Sequence, residues 1–424
     1  MQFKRLILIL LLTLTPLVGN AKLRSGEITI EFRLKDGIYS ALVNRPGWKA
    51  QKEFPLCDAE ILEELPIDHT LYNDDNAQKA YEYILRPLAS YLRKGDTVYF
   101  TPAGRINLFN LAALEDEKGR RLCERFHFYR VFDLNEIPED PPKHKYNTVL
   151  LYGGMKYDAD FASLNENGWW PHQPQFRNRF EDFKPSAAGQ IDLGTAEDGT
   201  RAGFGNLKHS EEEIKFISDL GGWVSHPRIG AAAMEEVFRQ DVSRDQEYIV
   251  HISTHTFNRE DGIQSGDHVL TKVDKTFASC GLLFSGAQHT LNGEQMPYAY
   301  DSFYGRQMPT RLNDGMLYGA EIARLDMSHC DLLVLAACNT ALGLVRFDGV
   351  IGLQLAFKIA GVKTTLMTLW SVNDKATCEF MKRFYTYLFS GKTKHESLER
   401  ARADLMNSED FSDPIYWAPF IMID

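Results

Sequence analysis

The sequence has no Cys-x-x-Cys pair, no basic tract and, beyond its first 21 residues, no apolar run of membrane length. Without Cys-x-x-Cys spacing a structural zinc site is not expected. Cysteine is scarce: there are six in 424 residues (Cys57, Cys123, Cys280, Cys330, Cys338 and Cys378), without the spacing of a disulfide framework. Export would permit disulfides, yet most of these cysteines read as buried thiols packing as small hydrophobes. Positive charge is in deficit, with 47 Lys and Arg against 58 Asp and Glu and a formal net charge of −11. An acidic chain with no basic cluster argues against nucleic acid as the main partner. Hydrophobic residues at 44% and charged residues at 25% are ordinary for a soluble globular chain, and 424 residues suit one large domain or two average ones.

The first 21 residues differ from the rest. Lys4 and Arg5 precede the apolar run Leu6 to Leu14, Pro16 helps to end it, and Gly19-Asn20-Ala21 supplies small residues. This is the pattern of a secretory signal, too short for a comfortable membrane span. A secreted or periplasmic protein is then expected, with no stable membrane insertion once the signal is removed; without a working signal the chain is cytoplasmic.

Two strands are expected at Ile28–Phe32 and Tyr39–Val43, joined by the turn signal Asp36-Gly37, then a helix over 74–92 and a strand at 97–100. Pro138-Glu-Asp-Pro-Pro142 reads as a linker between a smaller half, 24–140, and a larger half, 145–424. Beyond it strand signals (148–152, 248–253, 331–337, 363–369 and 420–423) alternate with helix signals (210–220, 231–239, 349–360, 375–389 and 396–406). Ser210 followed by Glu213 reads as a capping box. Residues 153–207 and 285–315 show no period and read as long loops. Apolar strands alternating with helices imply a largely parallel sheet covered on both faces, an α/β fold.

In such sheets sites form at the carboxyl ends of strands. Two strands here end in reactive side chains: Ile249-Val-His-Ile-Ser-Thr-His255 and Leu332-Leu-Val-Leu-Ala-Ala-Cys338. If the two are neighbours, an imidazole lies beside a thiol, the pairing that makes a thiolate nucleophile and later protonates a leaving amine. Spacing alone is weak evidence for catalysis, because one Cys and one His at strand ends arise by chance. His251 and His255, four apart on a strand, also read as a metal-ligand pair for a hydrolase, although nothing in the sequence supplies a third ligand.

The segments His251-Ile-Ser-Thr-His255 and Asp331-Leu-Leu-Val-Leu-Ala-Ala-Cys-Asn-Thr-Ala-Leu-Gly343 resemble the paired motifs of the CHAT domain, a caspase-related peptidase family that includes separase. Leu317 to Leu325, Gly349 to Phe357, Ala360-Gly361, Thr368 to Thr377 and Tyr416-Trp-Ala-Pro-Phe420 resemble further family segments. Tyr99 to Gly104 and Leu111 to Leu114 resemble the family's first half, so the likeness runs over about 24–424. The resemblance implies a three-layer caspase-like sandwich with a mainly parallel sheet, preceded by a smaller degenerate copy of itself. It implies a cysteine endopeptidase with Cys338 as nucleophile and His255 as base, and backbone N–H groups of Thr256 and Cys338 at the oxyanion. It implies no cofactor and no metal, and a protein or peptide substrate that pairs with Gly281-Leu282-Leu283; the regulatory partner is not identified.

Two departures stand out. Thr256 follows the histidine where the family usually has Gly, and Ala103 replaces the Asp of the first-half Pro-Asp-Gly motif. The first leaves open a second class of function, a binding or scaffold module that keeps the fold and has lost turnover. Asp348 and Asp374 can line a pocket for a basic P1 side chain, but Asp374 reads first as a helix cap before Lys375-Ala376-Thr377. Trp370 reads as packing that can also wall the pocket. Trp169-Trp170-Pro171 reads either as a substrate lid or as the core of a long loop.

Overall fold

The computed structural model describes residues 23–73, 75–137, 147–160, 163–164, 207–258, 277, 280–291, 299–301, 306–308, 315–337, 345–346, 349–350, 352–370 and 372–424. The expected signal, the linker at 138–142 and Trp169-Trp170-Pro171 lie outside these residues. Among the described residues no helix is long and apolar enough to cross a membrane.

One sheet of eleven strands runs through the molecule in the order β3-β2-β1-β4-β5-β18-β17-β14-β8-β6-β7. The first five strands in the chain are β1 (Glu27–Lys35), β2 (Ile38–Asn44), β3 (Lys52–Asp58), β4 (Thr97–Thr101) and β5 (His127–Arg130). The other six are β6 (Thr148–Gly153), β7 (Val224–Ile229), β8 (Tyr248–Thr254), β14 (Cys330–Ala337), β17 (Thr364–Thr368) and β18 (Phe420–Ile423). A second sheet has three strands, β9 (Thr256–Asn258), β10 (Cys280–Leu283) and β13 (Met316–Tyr318). Two short pairs complete the set, β11 (Ala299–Asp301) with β12 (Arg306–Met308) and β15 (Val345–Arg346) with β16 (Gly349–Val350). The described helices of eight residues or more are α1 (Asn76–Ile84), α2 (Ser210–Asp219), α3 (Glu235–Val242), α4 (Leu353–Ala360), α5 (Asp374–Phe389) and α6 (Lys394–Met406).

Strand direction divides the large sheet. β6, β7, β8, β14 and β17 are mutually parallel. β18 runs against β17 but parallel to β5, which is parallel to β4 and so to β1. The carboxyl ends of β1, β4 and β5 therefore point to the edge opposite that of the later strands. Every residue of β8 and β17 is buried, as a strand covered on both faces requires. Leu151 and His251 share one face, where His251 meets Glu213 of α2 and Tyr385 of α5. Tyr152 and Ile252 share the other, where the Tyr152 ring packs edge-on to Phe238 of α3 at 5.4 Å. Helices on both faces make the three layers expected.

Both sheet edges carry a proline, Pro55 in β3 and Pro227 in β7. Proline cannot donate to a further strand, so it blunts an edge that would otherwise recruit one. The helix expected over 74–92 stops at Ile84 and a 3-10 turn over Arg86–Tyr91 follows, because Pro87 has no N–H and crowds the preceding turn. The helix expected from 349 starts at Leu353, since Gly349 and Val350 belong to a hairpin. The capping box expected at Ser210 is not formed. His209 holds the cap position, while the Ser210 hydroxyl accepts from the Gly154 N–H at 2.8 Å and donates to the Ser253 carbonyl at 3.2 Å. Glu213 is wholly buried and faces His251.

Candidate active site

β8 and β14 are neighbours, in parallel register with Ala336 beside Ser253 and Ala337 beside Thr254. The next residue along the first strand is His255 and along the second Cys338. His255 is half-buried at the point where the chain leaves the large sheet for β9. Cys338 and Asp348 lie outside the described residues.

The other five cysteines are free thiols. Burial pushes Cys57 up to about 11 and Cys280 and Cys378 up to about 12, and it raises Cys123 and Cys330 as well. A thiol held protonated is a poor nucleophile, so burial disfavours each of these five in that role.

Beside the strand ends lies a small cavity lined by Leu207, Ser253, Ala336, Thr368, Val372, Asp374 and Thr377. Ser253, Ala336 and Thr368 come from three adjacent strands, and their short side chains leave the space. Asp374 lines the cavity from the first turn of α5. It is not the helix cap that was expected: Asn373 caps α5, its side-chain oxygen accepting from the Ala376 N–H at 3.2 Å. The Asp374 carboxylate instead accepts from the His209 N–H at 2.7 Å, tying the start of α5 to the start of α2.

Trp370 does not wall this cavity. It is 5% exposed, its ring is 5.4 Å from Tyr72, and its indole N–H donates to the Ile415 carbonyl at 3.4 Å. Gly281-Leu282-Leu283 does not offer an edge to a peptide either. β10 is the middle strand of its sheet, antiparallel to β13 on one side and to β9 on the other. The glycine is there for packing, because a Cβ at Gly281 would lie 2.4 Å from the Phe257 ring and 2.5 Å from the Leu317 carbonyl. Thr256 lies in β9, and among the described non-glycine residues only Asp36 has a positive φ. The backbone freedom that glycine supplies is thus not used at that position, and a β-branched residue suits the strand.

His251 lies in the interior. Its Nδ1 is 3.1 Å from the Tyr385 hydroxyl, and its Nε2 is 2.6 Å from a Glu213 oxygen, out of line for a hydrogen bond, with both side chains fully buried. Burial, followed by the nearby Glu213 charge, raises the Tyr385 phenol well above its usual range. Among the described residues no three His, Cys, Asp or Glu side chains are grouped to hold a metal ion.

Sequence reasoning missed Tyr157 and Thr254. The Tyr157 oxygen accepts from the His255 backbone N–H at 3.2 Å, its ring centroid lies 5.3 Å from the imidazole, and it is 3.0 Å from the Thr254 hydroxyl. Tyr157 stands in a stretch with no hydrophobic period and carries no motif; the one signal was the aromatic richness of that stretch.

The CHAT domain family model matches residues 74–424. Tetratricopeptide repeat protein 28 of Homo sapiens is 30% identical over 223 residues, 52% of this chain and 8% of the relative. The Mus musculus protein of the same name is 28% identical over 222 residues, 52% of this chain and 9% of the relative. The chain thus matches under a tenth of these relatives' length. The solved structure of the Arg-specific cysteine proteinase gingipain R aligns over 82% of this chain and 65% of its own, at 8% identity and a TM-score of 0.37. With the family model matching from α1 to the last strand, through both the β8 and β14 motifs, the chain belongs to the CHAT domain family.

Proposed function

We propose that this protein is a cysteine endopeptidase that cuts protein substrates, with Cys338 as nucleophile and His255 as base. The observation that carries the reading is the parallel register of β8 and β14, which pairs Ala337 with Thr254 immediately before the two residues. In this scheme His255 takes the Cys338 proton and the thiolate attacks the scissile carbonyl. The amine leaves with that proton, and water, deprotonated by His255, releases the acid from the thioester. Backbone N–H groups of Cys338 and Thr256 are the oxyanion donors in this reading. Thiol and imidazole suffice, so no cofactor is called for.

Asp374 beside these strand ends is read here as the acidic group that favours a basic P1 side chain; the cavity it lines, about 20 Å³, is water-sized, so the reading rests on the carboxylate's charge and position. Residues 1–21 are read as an export signal, which N-terminal sequencing of the mature protein checks. The test of the main reading is cleavage of a diverse peptide library by the protein and by its Cys338→Ala and His255→Ala variants. Cleavage lost in both supports the dyad, and cleavage retained in Cys338→Ala overturns it.

A second reading, a binding or scaffold module, is favoured by β10 having strand neighbours on both sides. A thiol-reactive peptide probe separates the two, since a scaffold shows no His255-dependent labelling of Cys338.

A further inference from the structure

His255 sits where the chain crosses from one sheet to another, and four hydrogen bonds surround that crossing. The Thr254 hydroxyl donates to the Leu283 carbonyl. A hydroxyl has one proton, so at 3.0 Å from the Tyr157 hydroxyl Thr254 must accept, and Tyr157 donates. The Tyr157 oxygen then takes the His255 N–H at 3.2 Å, and the Leu283 N–H closes the loop on the His255 carbonyl at 3.0 Å. All four donors point the same way round, and the run from the His255 N–H through the Tyr157 and Thr254 hydroxyls to the Leu283 carbonyl is one continuous chain in which each bond polarises the next. Thr254 and Leu283 are fully buried and Tyr157 is 3% exposed, so water does not compete. Tyr157 is itself held. The Lys156 N–H donates to the Ser285 hydroxyl at 3.1 Å, and the Gly286 and Gln288 N–H groups donate to the Lys156 and Tyr157 carbonyls at 3.1 and 2.9 Å. Its ring lies against the imidazole, inclined by 39°.

We infer that Tyr157 is the positioning residue of His255, and that with Thr254 and Leu283 it sets the direction in which the imidazole is presented at the strand edge. This rests on the reading of His255 as the base. The ring contact orients the side chain, while the hydroxyl orients the peptide unit that carries it.

The test uses the full chain with 13Cε1-labelled histidine, the His255 resonance being assigned by its loss in His255→Asn. Tyr157→Phe keeps the ring and removes the hydroxyl; Thr254→Val breaks the same loop, and Thr254→Ser restores it. Tyr152→Phe is the control for a merely structural role, because it removes another buried hydroxyl, bonded at 2.7 Å to Asp241 and outside the loop. Tyr157→Phe and Thr254→Val are expected to displace the His255 resonance and its titration midpoint, with Thr254→Ser and Tyr152→Phe leaving both near wild type. On a cleaved peptide, kcat falls about 10- to 100-fold with KM within about twofold. An unmoved His255 resonance in Tyr157→Phe, or an equal displacement in Tyr152→Phe, overturns the proposal. Should Tyr157→Phe not fold, Thr254→Val decides on the same readout. Failure of the peptidase reading shows separately as absent cleavage by wild type, and the resonance still decides the role of Tyr157.

Discussion

The large sheet has two carboxyl edges, and they have been finished differently. At the ends of β1, β4 and β5 the space is filled. The Tyr39 hydroxyl accepts from the Arg105 N–H at 2.8 Å, the Arg105 guanidinium donates to the Leu65 carbonyl, and buried Arg130 reaches the carbonyl and side-chain oxygens of Asn107, each at 2.8 Å. At the opposite edge β8, β14 and β17 bring Ser253, Ala336 and Thr368 together near their carboxyl ends, and a small cavity remains. Both edges are built from parallel strands, so strand geometry does not explain the difference. Side-chain volume and the backbone bonds of two arginines do. The two edges are also connected: the Asn110 amide donates to the Ala418 carbonyl at 2.7 Å and the Asn110 N–H to the Tyr72 hydroxyl at 2.7 Å, so the earlier segment buttresses Trp370 at the later edge.

Filling the open edge should erase the contrast. Ala336→Leu adds bulk where Ala336 is 4% exposed and lines the cavity. Peptide cleavage is expected to fall about 100-fold, against an overpacking cost of about 1–3 kcal/mol in thermal unfolding. Gly104→Ala attacks the filled edge instead. Gly104 has φ +49° and a Cβ there would lie 2.4 Å from the Tyr39 hydroxyl, so a loss of about 2–3 kcal/mol is expected in denaturant unfolding, with the His255 resonance unchanged. Asp374→Asn removes charge from the cavity wall and keeps the shape. Preference for basic over neutral P1 residues should drop about tenfold in the peptide library, with unfolding shifted by under about 1 kcal/mol.

The smallest effect concerns a surface link between the two regions. His127 of β5 is 2.8 Å from Glu399 of α6, and that hydrogen bond raises the imidazole above its ordinary 6.5. A raised folded-state value means the stabilisation is full below the unfolded value and fades as pH climbs through the folded one. The stability difference between wild type and Glu399→Gln should therefore be about 0.2–1 kcal/mol at pH 5.5 and vanish by about pH 8.5 in urea unfolding.

Much of this was legible beforehand where signals are local. The apolar stretch Leu332–Ala337 marked a strand, and Asp36-Gly37 forms the turn between β1 and β2. Signals failed where a side chain had a distant use. Ser210 and Glu213 have the spacing of a capping box, but a hydroxyl that bonds Gly154 and Ser253 and a carboxylate buried against His251 serve the sheet instead. β5 and β7 went unread because His127-Phe-Tyr-Arg130 is short and Val224-Ser-His-Pro-Arg-Ile229 carries an edge proline. Gly281, read with Leu282 and Leu283 as a strand pairing with substrate, lies in a strand already paired on both sides and is crowded by Phe257 and Leu317.

By itself the sequence determined the alternation of strands and helices and the placing of His255 and Cys338 after two apolar strands, since hydrophobic period and chain breakers act within a few residues. Tertiary structure alone decided that β8 and β14 are neighbours in that register, that one carboxyl edge is filled and the other open, and that Tyr157 reaches back to hold His255. Each of those depends on segments far apart in the chain meeting in space, and such a meeting leaves no mark in the local pattern of either segment.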